Sequence, residues 1–187
     1  MIEDAFLNST SGHAPRGLPA HPLLRLAWYS ISAYVAGGNP ERLLDALAEL
    51  GPPQACFVSL KKGGRLRGCI GSLTPAYPTR EAEIVANAIA SSQRDPRFPP
   101  VRLEELDSLH VSIDLLSAPE DIPSARELDP RRYGVIVRSG GRSGVLLPDL
   151  PGVDTPARQI AICRDKADIP PEAPLTLQRF TVERIGG

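Results

Sequence analysis

The stretch KKGGRLRGCIGSL (residues 61–73) places four basic side chains and one cysteine among four glycines. The preceding segment QACFVSL (54–60) is typical of a buried strand and KKGG of a turn, so the sequence predicts a β-hairpin whose returning strand is RLRGCIG. Glycine is depleted from strand interiors, so two glycines beside Cys69 indicate a bulge, a bend or a close neighbour. Because the strands of a hairpin pair antiparallel, this stretch favours an antiparallel sheet.

Amphipathic helices and further strands surround the hairpin. Apolar residues that recur every three or four positions predict a helix in HPLLRLAWYSISAYVAG (21–37). Signals at the ends of helices predict three more, in NPERLLDALAELG (39–51), REAEIVANAIASS (80–92) and TPARQIAICRDKAD (155–168). The predicted N-caps are Asn39, Thr79 and Thr155, and Gly51 is expected to end the second helix. The leucines of that helix (Leu43, Leu44, Leu47 and Leu50) are expected to face the core.

Apolar runs and alternating patterns predict the remaining strands, in LHVSIDLLS (109–117), YGVIVRS (133–139), GVLLPDL (144–150) and LTLQRFTVERI (175–185). GGRS is the expected turn between the second and third of these segments. The order of elements predicts an α+β fold with a mostly antiparallel sheet flanked by helices.

Length and charge exclude several classes of protein. A chain of 187 residues that is 42% hydrophobic can bury one sizeable core, and residues 1–20, rich in Ser, Gly and Pro, are predicted to form a mobile N-terminal arm. The net charge of -1 gives no global attraction to nucleic acid or to anionic membranes. No apolar run approaches the roughly 18 residues that a membrane-spanning helix needs. We therefore expect neither nucleic-acid binding nor membrane insertion.

The cysteine and histidine content indicates the compartment and argues against a metal site. Cys56, Cys69 and Cys163 are odd in number and widely spaced, so free thiols in a reducing compartment are expected. The N-terminal MIEDAFLNST lacks the basic and apolar regions of a secretory signal, so we expect a cytoplasmic protein. The three histidines and three cysteines lack the usual ligand spacing for zinc, iron or an iron–sulfur cluster. Neither a metal nor a cofactor is expected.

Cys69 is the candidate reactive group of the hairpin. Alternate residues of a strand share a face, which places its thiol with Arg65 and Arg67, opposite Leu66, Gly68 and Ile70. Cations beside a thiol favour the thiolate, so one hypothesis is a reactive or ligand-contacting cysteine in a strip that attracts anions. The alternative is a small buried cysteine with solvated arginines beside it.

A second polar group lies on the strand 109–117. His110, Ser112 and Asp114 alternate along one of its faces. An imidazole could take the proton of a cysteine thiol, so a Cys–His pair is one interpretation. The other interpretation is a set of polar residues on a solvated face.

The loop DPRFPP (95–100) combines Asp95, Arg97 and Phe98 between prolines that restrict the backbone. Such a loop can line a pocket, with Arg97 binding a carboxylate or phosphate and Phe98 stacking on the ligand. Equally, Phe98 can anchor the loop to the core.

These stretches together resemble the AMMECR domain family. LRGCIGSL (66–73) and DPRFPP (95–100) carry the resemblance, and LLPDL (146–150), CRDKADIP (163–170) and RFTVE (179–183) follow in the same order. The resemblance covers roughly residues 20–185, so residues 21–187 are expected to form one AMMECR-type domain. It implies a larger lobe that takes in both chain ends and a smaller lobe from the middle of the chain.

The resemblance also implies a site and possible partners. Its motifs fall on Cys69 as the candidate catalytic residue and on a set of candidate binding residues: Arg67, Gly68, Ile70, Gly71, Ser72, Asp95, Arg97 and Phe98. Similar microbial proteins occur with a Memo-like protein and a radical S-adenosylmethionine enzyme, which implies an accessory or binding component that acts with these two partners. The alternative is a cysteine-dependent enzyme that uses Cys69 as nucleophile on a small anionic substrate, with Arg67 stabilising the anion.

Overall fold

A computed structural model describes residues 19–186, which divide into two compact units. Of these described residues, the first unit contains 19–115 and 184–186, and the second unit is Leu116–Glu183. This division confirms the expected larger lobe from both chain ends and smaller lobe from the middle. The predicted N-terminal arm falls mainly on residues 1–18, which lie outside the described residues.

The helices follow the amphipathic segments of the sequence. Their bounds are α1 (Pro22–Val35), α2 (Arg42–Asp45), α3 (Arg80–Gln93) and α4 (Pro156–Ala167), with 3-10 helices at Leu103–Ser108 and Ala125–Glu127. The hydroxyl of Thr79 accepts a hydrogen bond from the backbone N–H of Ala82, and that of Thr155 from the N–H of Arg158, each at 3.2 Å. Two of the predicted N-caps are therefore confirmed.

The strands form two four-stranded sheets within residues 19–186. Their bounds are β1 (Cys56–Lys62), β2 (Arg65–Gly71), β3 (Leu109–Leu116), β4 (Glu120–Ile122), β5 (Gly134–Ser139), β6 (Arg142–Leu146), β7 (Thr176–Phe180) and β8 (Val182–Ile185). The strand orders are β2-β1-β3-β8 and β4-β7-β5-β6. Strand β1 pairs antiparallel with β2 and β3, and β7 with β4 and β5. The α+β class and the antiparallel pairing are confirmed.

The hairpin of the opening stretch consists of β1 and β2. Gly63 and Gly64 form its turn with φ angles of 56° and 76°, in the left-handed region that favours glycine. The antiparallel register pairs Ser59 with Cys69, and it shifts between Leu60 and Lys61. This shift is a bulge, which is one of the three features that the glycines beside Cys69 indicated.

The second helix is shorter than predicted. It ends at Asp45, its N-cap is Glu41, and the side chain of Asn39 instead accepts a hydrogen bond from the N–H of Glu41. Leu43 is fully buried, but Leu50 is 46% exposed. Leu44 and Leu47 are partly buried against the core, as expected, whereas the segment that follows them is exposed. Because packing of an apolar face supplies most of the stability of a helix, this exposed segment has little to hold it helical.

The predicted last strand 175–185 is in fact two strands. It breaks at Thr181, so that β7 belongs to the sheet of the second unit and β8 lies beside β3. The hydroxyl of Ser117 accepts the N–H of Thr181 at 2.9 Å, and the carbonyl of Thr181 accepts the N–H of Ser117 at 3.0 Å. These two bonds satisfy the backbone N–H and carbonyl of Thr181, where the strand is interrupted.

Candidate functional site

Helix α3 lies directly against the glycine-cysteine strand. A methyl group added at Gly68 would overlap the backbone carbonyl of Ser91. The hydroxyl of Ser91 accepts the N–H of Ile70 at 2.9 Å and donates to the carbonyl of Val58 at 2.7 Å, which links β2 to β1. Gly68 is therefore needed for the close approach of a helix backbone.

The opposite face of this sheet carries the thiol. Cys69 pairs with Ser59 across the hairpin, and Ser59 pairs with Ser112 on β3. We call these three half-buried residues the Cys69 row. The hydroxyl of Ser59 donates a hydrogen bond to Sγ of Cys69 at 3.1 Å. Ser59 thus fixes the position of the thiol, and its role was not predicted from the sequence, although its place in the alternating strand β1 was the available signal.

The loop 95–100 binds the backbone of Cys69. Asp95 Oδ2 accepts the N–H of Cys69 at 2.8 Å, and Nη2 of Arg97 donates to the carbonyl of Cys69 at 3.2 Å. The side chains of Asp95 and Arg97 also form a two-bond ion pair of 2.9 and 2.7 Å. The structure therefore brings Cys69, Asp95 and Arg97 into one hydrogen-bonded group, although 26 residues separate Cys69 from Asp95.

The carboxylate of this group is buried and ionised. The guanidinium of Arg97 and the N–H of Cys69 hold the pKa of Asp95 well below its usual range, although burial opposes them. The side chain of Asp95 is 2% exposed, whereas that of Arg97 is 54% exposed. The guanidinium lies 5.5 Å from the ring centroid of Phe98, within the range of a cation–π contact. The loop thus presents a cation and an aromatic ring at its surface.

Arg67 is directed to a different partner. Leu60 pairs with Gly68 and Lys61 with Leu66, so Arg67 is the additional residue of the bulge. Its guanidinium forms two hydrogen bonds of 3.1 and 2.9 Å to Glu105. Because the alternation is interrupted at the bulge, the predicted common face of Arg65, Arg67 and Cys69 does not continue along the whole strand.

Glu105 is the acceptor for a small basic group. Besides Arg67, it accepts a hydrogen bond from Lys62 Nζ at 3.0 Å and from the backbone N–H of Arg102 at 3.2 Å. The hydrogen bonds from Arg67, aided by that from Lys62, lower the pKa of Glu105 to about 2, while burial opposes them. Its charge therefore offsets the positive charge that the hairpin concentrates.

This shift gives an expected pH dependence of stability. Because the pKa of Glu105 falls from 4.5 to about 2 on folding, its stabilising effect is present above pH 4.5 and is lost as pH falls toward 2. Glu105→Gln should therefore reduce the loss of unfolding free energy between about pH 6 and pH 3. Urea unfolding at a series of pH values measures this slope. Glu104→Gln, at an exposed neighbour, is the control; equal slopes for both variants would contradict the assignment.

Gly71 and Ser72 are packed and hydrogen-bonded rather than open. A Cβ at Gly71 would overlap the carbonyl of Cys56 and the ring of Phe57. The N–H of Ser72 donates to the carbonyl of Cys56 at 3.2 Å, and its hydroxyl donates to Glu83. These two positions shape the end of the strand.

Glu83 is a buried carboxylate that sequence analysis did not single out. It is 1% exposed and accepts the N–H groups of Ala76 and Tyr77 at 2.8 and 3.0 Å, the hydroxyl of Ser72, and the amide of Asn87 at 3.4 Å. In the first turn of α3 a carboxylate interacts favourably with the helix dipole, which by itself indicates no further role. It joins the segment after β2 to α3.

The polar residues of β3 lie on the face of the Cys69 row. His110 is paired with Lys61, and Asp114 with Phe57. Asp114 forms two hydrogen bonds of 2.7 and 3.1 Å to Arg184. Among residues 19–186, no histidine side chain hydrogen-bonds to Cys69, so the structure does not provide the Cys–His pair that the alternation allowed.

The other two cysteines are core residues. Cys56 and Cys163 are fully buried, and burial raises the pKa of Cys56 to about 12 and that of Cys163 to about 11. Cys69 is half-buried, and all three are free thiols. In the part of the chain that the structure describes, no three His, Cys, Asp or Glu side chains could hold a metal ion. The helices of this part include none long and apolar enough to cross a bilayer.

Comparisons with known proteins identify the family of this two-sheet protein. The AMMECR1 family model matches residues 24–185, and this chain belongs to that family. A Thermotoga maritima protein is 45% identical over 174 residues, covering 88% of this chain and 97% of that protein. Protein CA_C1420 of Clostridium acetobutylicum is 40% identical over 87% of this chain, but the match covers 35% of that protein. The crystal structure of uncharacterized protein PH0010 from Pyrococcus horikoshii has a TM-score of 0.76 at 36% identity, covering 87% of this chain and 88% of that chain.

Proposed function

We propose that this chain is a cytoplasmic binding component that acts with a Memo-like protein and a radical S-adenosylmethionine enzyme. Its proposed binding site comprises the Cys69 row and the loop 95–100. The three free thiols agree with a reducing compartment. The family relationship supports the accessory role only through the occurrence of similar microbial proteins with these partners.

The hydrogen bonds around Cys69 favour a binding role over a catalytic one. The backbone of Cys69 is fixed, its N–H by Asp95 and its carbonyl by Arg97, and its sulfur accepts a hydrogen bond from the hydroxyl of Ser59. Among residues 19–186, no side-chain base hydrogen-bonds to this sulfur, and the guanidinium of Arg97 is paired with Asp95. An activated cysteine nucleophile needs a base or an adjacent uncompensated cation. The geometry therefore supports a rigid recognition surface.

The exposed groups of this surface indicate the ligand chemistry. Arg97 is about half exposed, and its cation lies beside the ring of Phe98. A guanidinium beside an aromatic ring suits a small anion with a planar or apolar part. Asp95 already offsets one positive charge, so the proposed ligand binds by shape as well as by charge.

The alternative function is a cysteine-dependent enzyme with Cys69 as nucleophile. The half-buried thiol favours this alternative, because substrate could reach it. The role first assigned to Arg67 has less support, because Glu105 accepts two hydrogen bonds from its guanidinium. Nucleic-acid binding has little support from one small basic group in a chain with a net charge of -1.

The substitution Cys69→Ser separates the two functions. Serine keeps the hydrogen bond to Ser59 and the shape of the site, but it is a poor nucleophile without a strong base. We expect the variant to bind the Memo-like protein and the radical enzyme of its own organism within about threefold of wild-type affinity, since this is a nearly isosteric change. It should also complement a strain that lacks the gene.

The control for this experiment is Asp95→Ala, which removes the acceptor for the N–H of Cys69 and the partner of Arg97. We expect it to weaken partner binding at least about tenfold. Circular dichroism establishes that each variant is folded. Failure of a folded Cys69→Ser variant to complement would support the enzyme, and absence of wild-type binding to either partner would refute the proposed role.

A further inference from the structure

The second unit contains a groove along α4, separate from the site around Cys69. Its volume is about 690 Å³, and its lining residues are Ala125, Arg126, Thr155, Pro156, Ala157, Ile160, Ala161, Arg164 and Pro171. Apart from the two arginines and Thr155, every lining residue is apolar. Nothing in the proposed function uses this surface.

The floor of the groove is one face of a helix. Ala157, Ile160, Ala161 and Arg164 follow the three- and four-residue spacing that places side chains on one side of α4. Ala125, from the 3-10 helix Ala125–Glu127, lines the groove beside them. The two alanines of α4 project little from the helix, so another backbone can come close; packed helix axes lie about 8–10 Å apart, depending on the side chains between them.

The charge of the lining is positive. It includes two guanidinium groups, those of Arg126 and Arg164, and no carboxylate. Arg164 donates hydrogen bonds to the carbonyls of Pro170 and Ala173, which fix its position and leave its charge uncompensated. Among the described residues, Arg126 has no ion-pair partner. A partner that fits this groove therefore carries carboxylates beside an apolar surface.

The shape of the groove favours a polypeptide over a small molecule. Pockets for small ligands bury roughly 70–90% of the ligand, whereas Arg126, Thr155, Ala157 and Pro171 are themselves exposed and leave this groove open along one side. An amphipathic helix needs burial on one face only, and helix-in-groove recognition places apolar residues at helical spacing into such a surface.

We propose that this groove binds an acidic amphipathic helix of a partner protein. The apolar stripe of that helix packs on Ala157, Ile160 and Ala161, and its carboxylates pair with Arg126 and Arg164. The contact along α4 from Ala157 to Arg164 spans about two helical turns, or roughly 10 Å at 1.5 Å per residue. The partner helix needs a similar length.

The test uses two helical probe peptides and the full chain. Both peptides carry leucines at every third and fourth position; one has glutamates at the remaining positions and the other has lysines. We expect the acidic peptide to bind at least about tenfold more tightly than the basic peptide, and more weakly as salt rises. NMR titration should shift the backbone amides of Ala125, Ala157 and Ala161 first.

Two variants and a matched control locate the site. Arg126→Glu reverses one rim charge and should weaken binding of the acidic peptide at least about fivefold. Ala161→Glu adds a charged side chain to the floor and should weaken binding of the acidic peptide. Arg131→Glu makes the same charge change at an exposed residue outside the lining and should leave affinity within about twofold.

Three outcomes would overturn the proposal. The first is equal affinity for the two peptides, and the second is equal loss from Arg126→Glu and Arg131→Glu. The third is no amide shift in the groove at about 1 mM acidic peptide, a concentration that half-saturates a site whose Kd is about 1 mM. Tighter binding of decanoate than of the acidic peptide at the same amides would identify a small-ligand pocket and also reject the helix. Circular dichroism of each variant excludes unfolding as the cause.

Discussion

Replacing Gly68 with valine is expected to lower the free energy of unfolding by about 3 kcal/mol or more, the upper part of the range for overpacked positions. The first carbon of any side chain at this position would overlap the carbonyl oxygen of Ser91. That obstacle is helix backbone, so a change of rotamer cannot remove it. Helix α3 has to move away from β2, which stretches the bonds that Ser91 makes to Ile70 and Val58.

The matched control is Lys62→Ala in the same hairpin. Its side chain is 46% exposed in its contact with Glu105, so its loss should cost no more than about 1 kcal/mol. Thermal unfolding followed by circular dichroism should place the melting temperature of Gly68→Val at least about 4–8 °C below that of Lys62→Ala. Similar melting temperatures would mean that α3 does not constrain Gly68.

Replacing Glu83 with alanine is expected to cost about 2–4 kcal/mol, because four donors lose this acceptor, among them the half-buried hydroxyl of Ser72 and the buried amide of Asn87. The donors are the N–H groups of Ala76 and Tyr77, the hydroxyl of Ser72 and the amide of Asn87. The substitution also opens a cavity at the start of α3. Chemical denaturation gives the change in unfolding free energy directly.

A double-mutant cycle with Ser72→Ala tests the contact itself. Once Glu83 is alanine, removal of the Ser72 hydroxyl should cost less than in the wild type, because its acceptor is already absent. Glu49→Ala removes an exposed carboxylate and should change stability by less than about 0.5 kcal/mol. Additive costs for the two substitutions would show that Ser72 and Glu83 do not interact.

Local signals in the sequence predicted much of the fold. The hairpin was predicted from a segment typical of a buried strand, a glycine turn and a returning strand, and α3 from the N-cap Thr79. All of these signals lie within about ten residues of the elements that they define. The break at Thr181 was not predictable in this way, because the segment 175–185 reads as one strand and only long-range pairing assigns its halves to different sheets.

The sequence indicated the residues of the group around Cys69, but it did not indicate the contacts that join them. The motifs identified Cys69, Asp95 and Arg97, yet the bonds that join them go to the backbone N–H and carbonyl of Cys69. Side-chain patterns do not reveal which main-chain groups remain unpaired in the sheet. Arg67 was expected beside the thiol, but the bulge turns its guanidinium to Glu105.

The pairing of Asp95 and Arg97 with Cys69 also protects the molecule from other chains. Strand β2 is the outermost strand of its sheet, and an exposed outer strand offers free N–H and C=O groups on which a foreign strand can assemble. At Cys69 both groups are already bonded, by a carboxylate and a guanidinium that occupy the place of a neighbouring strand. The loop 95–100 therefore also hinders the addition of a foreign strand to β2, and with it intermolecular β-sheet growth and aggregation.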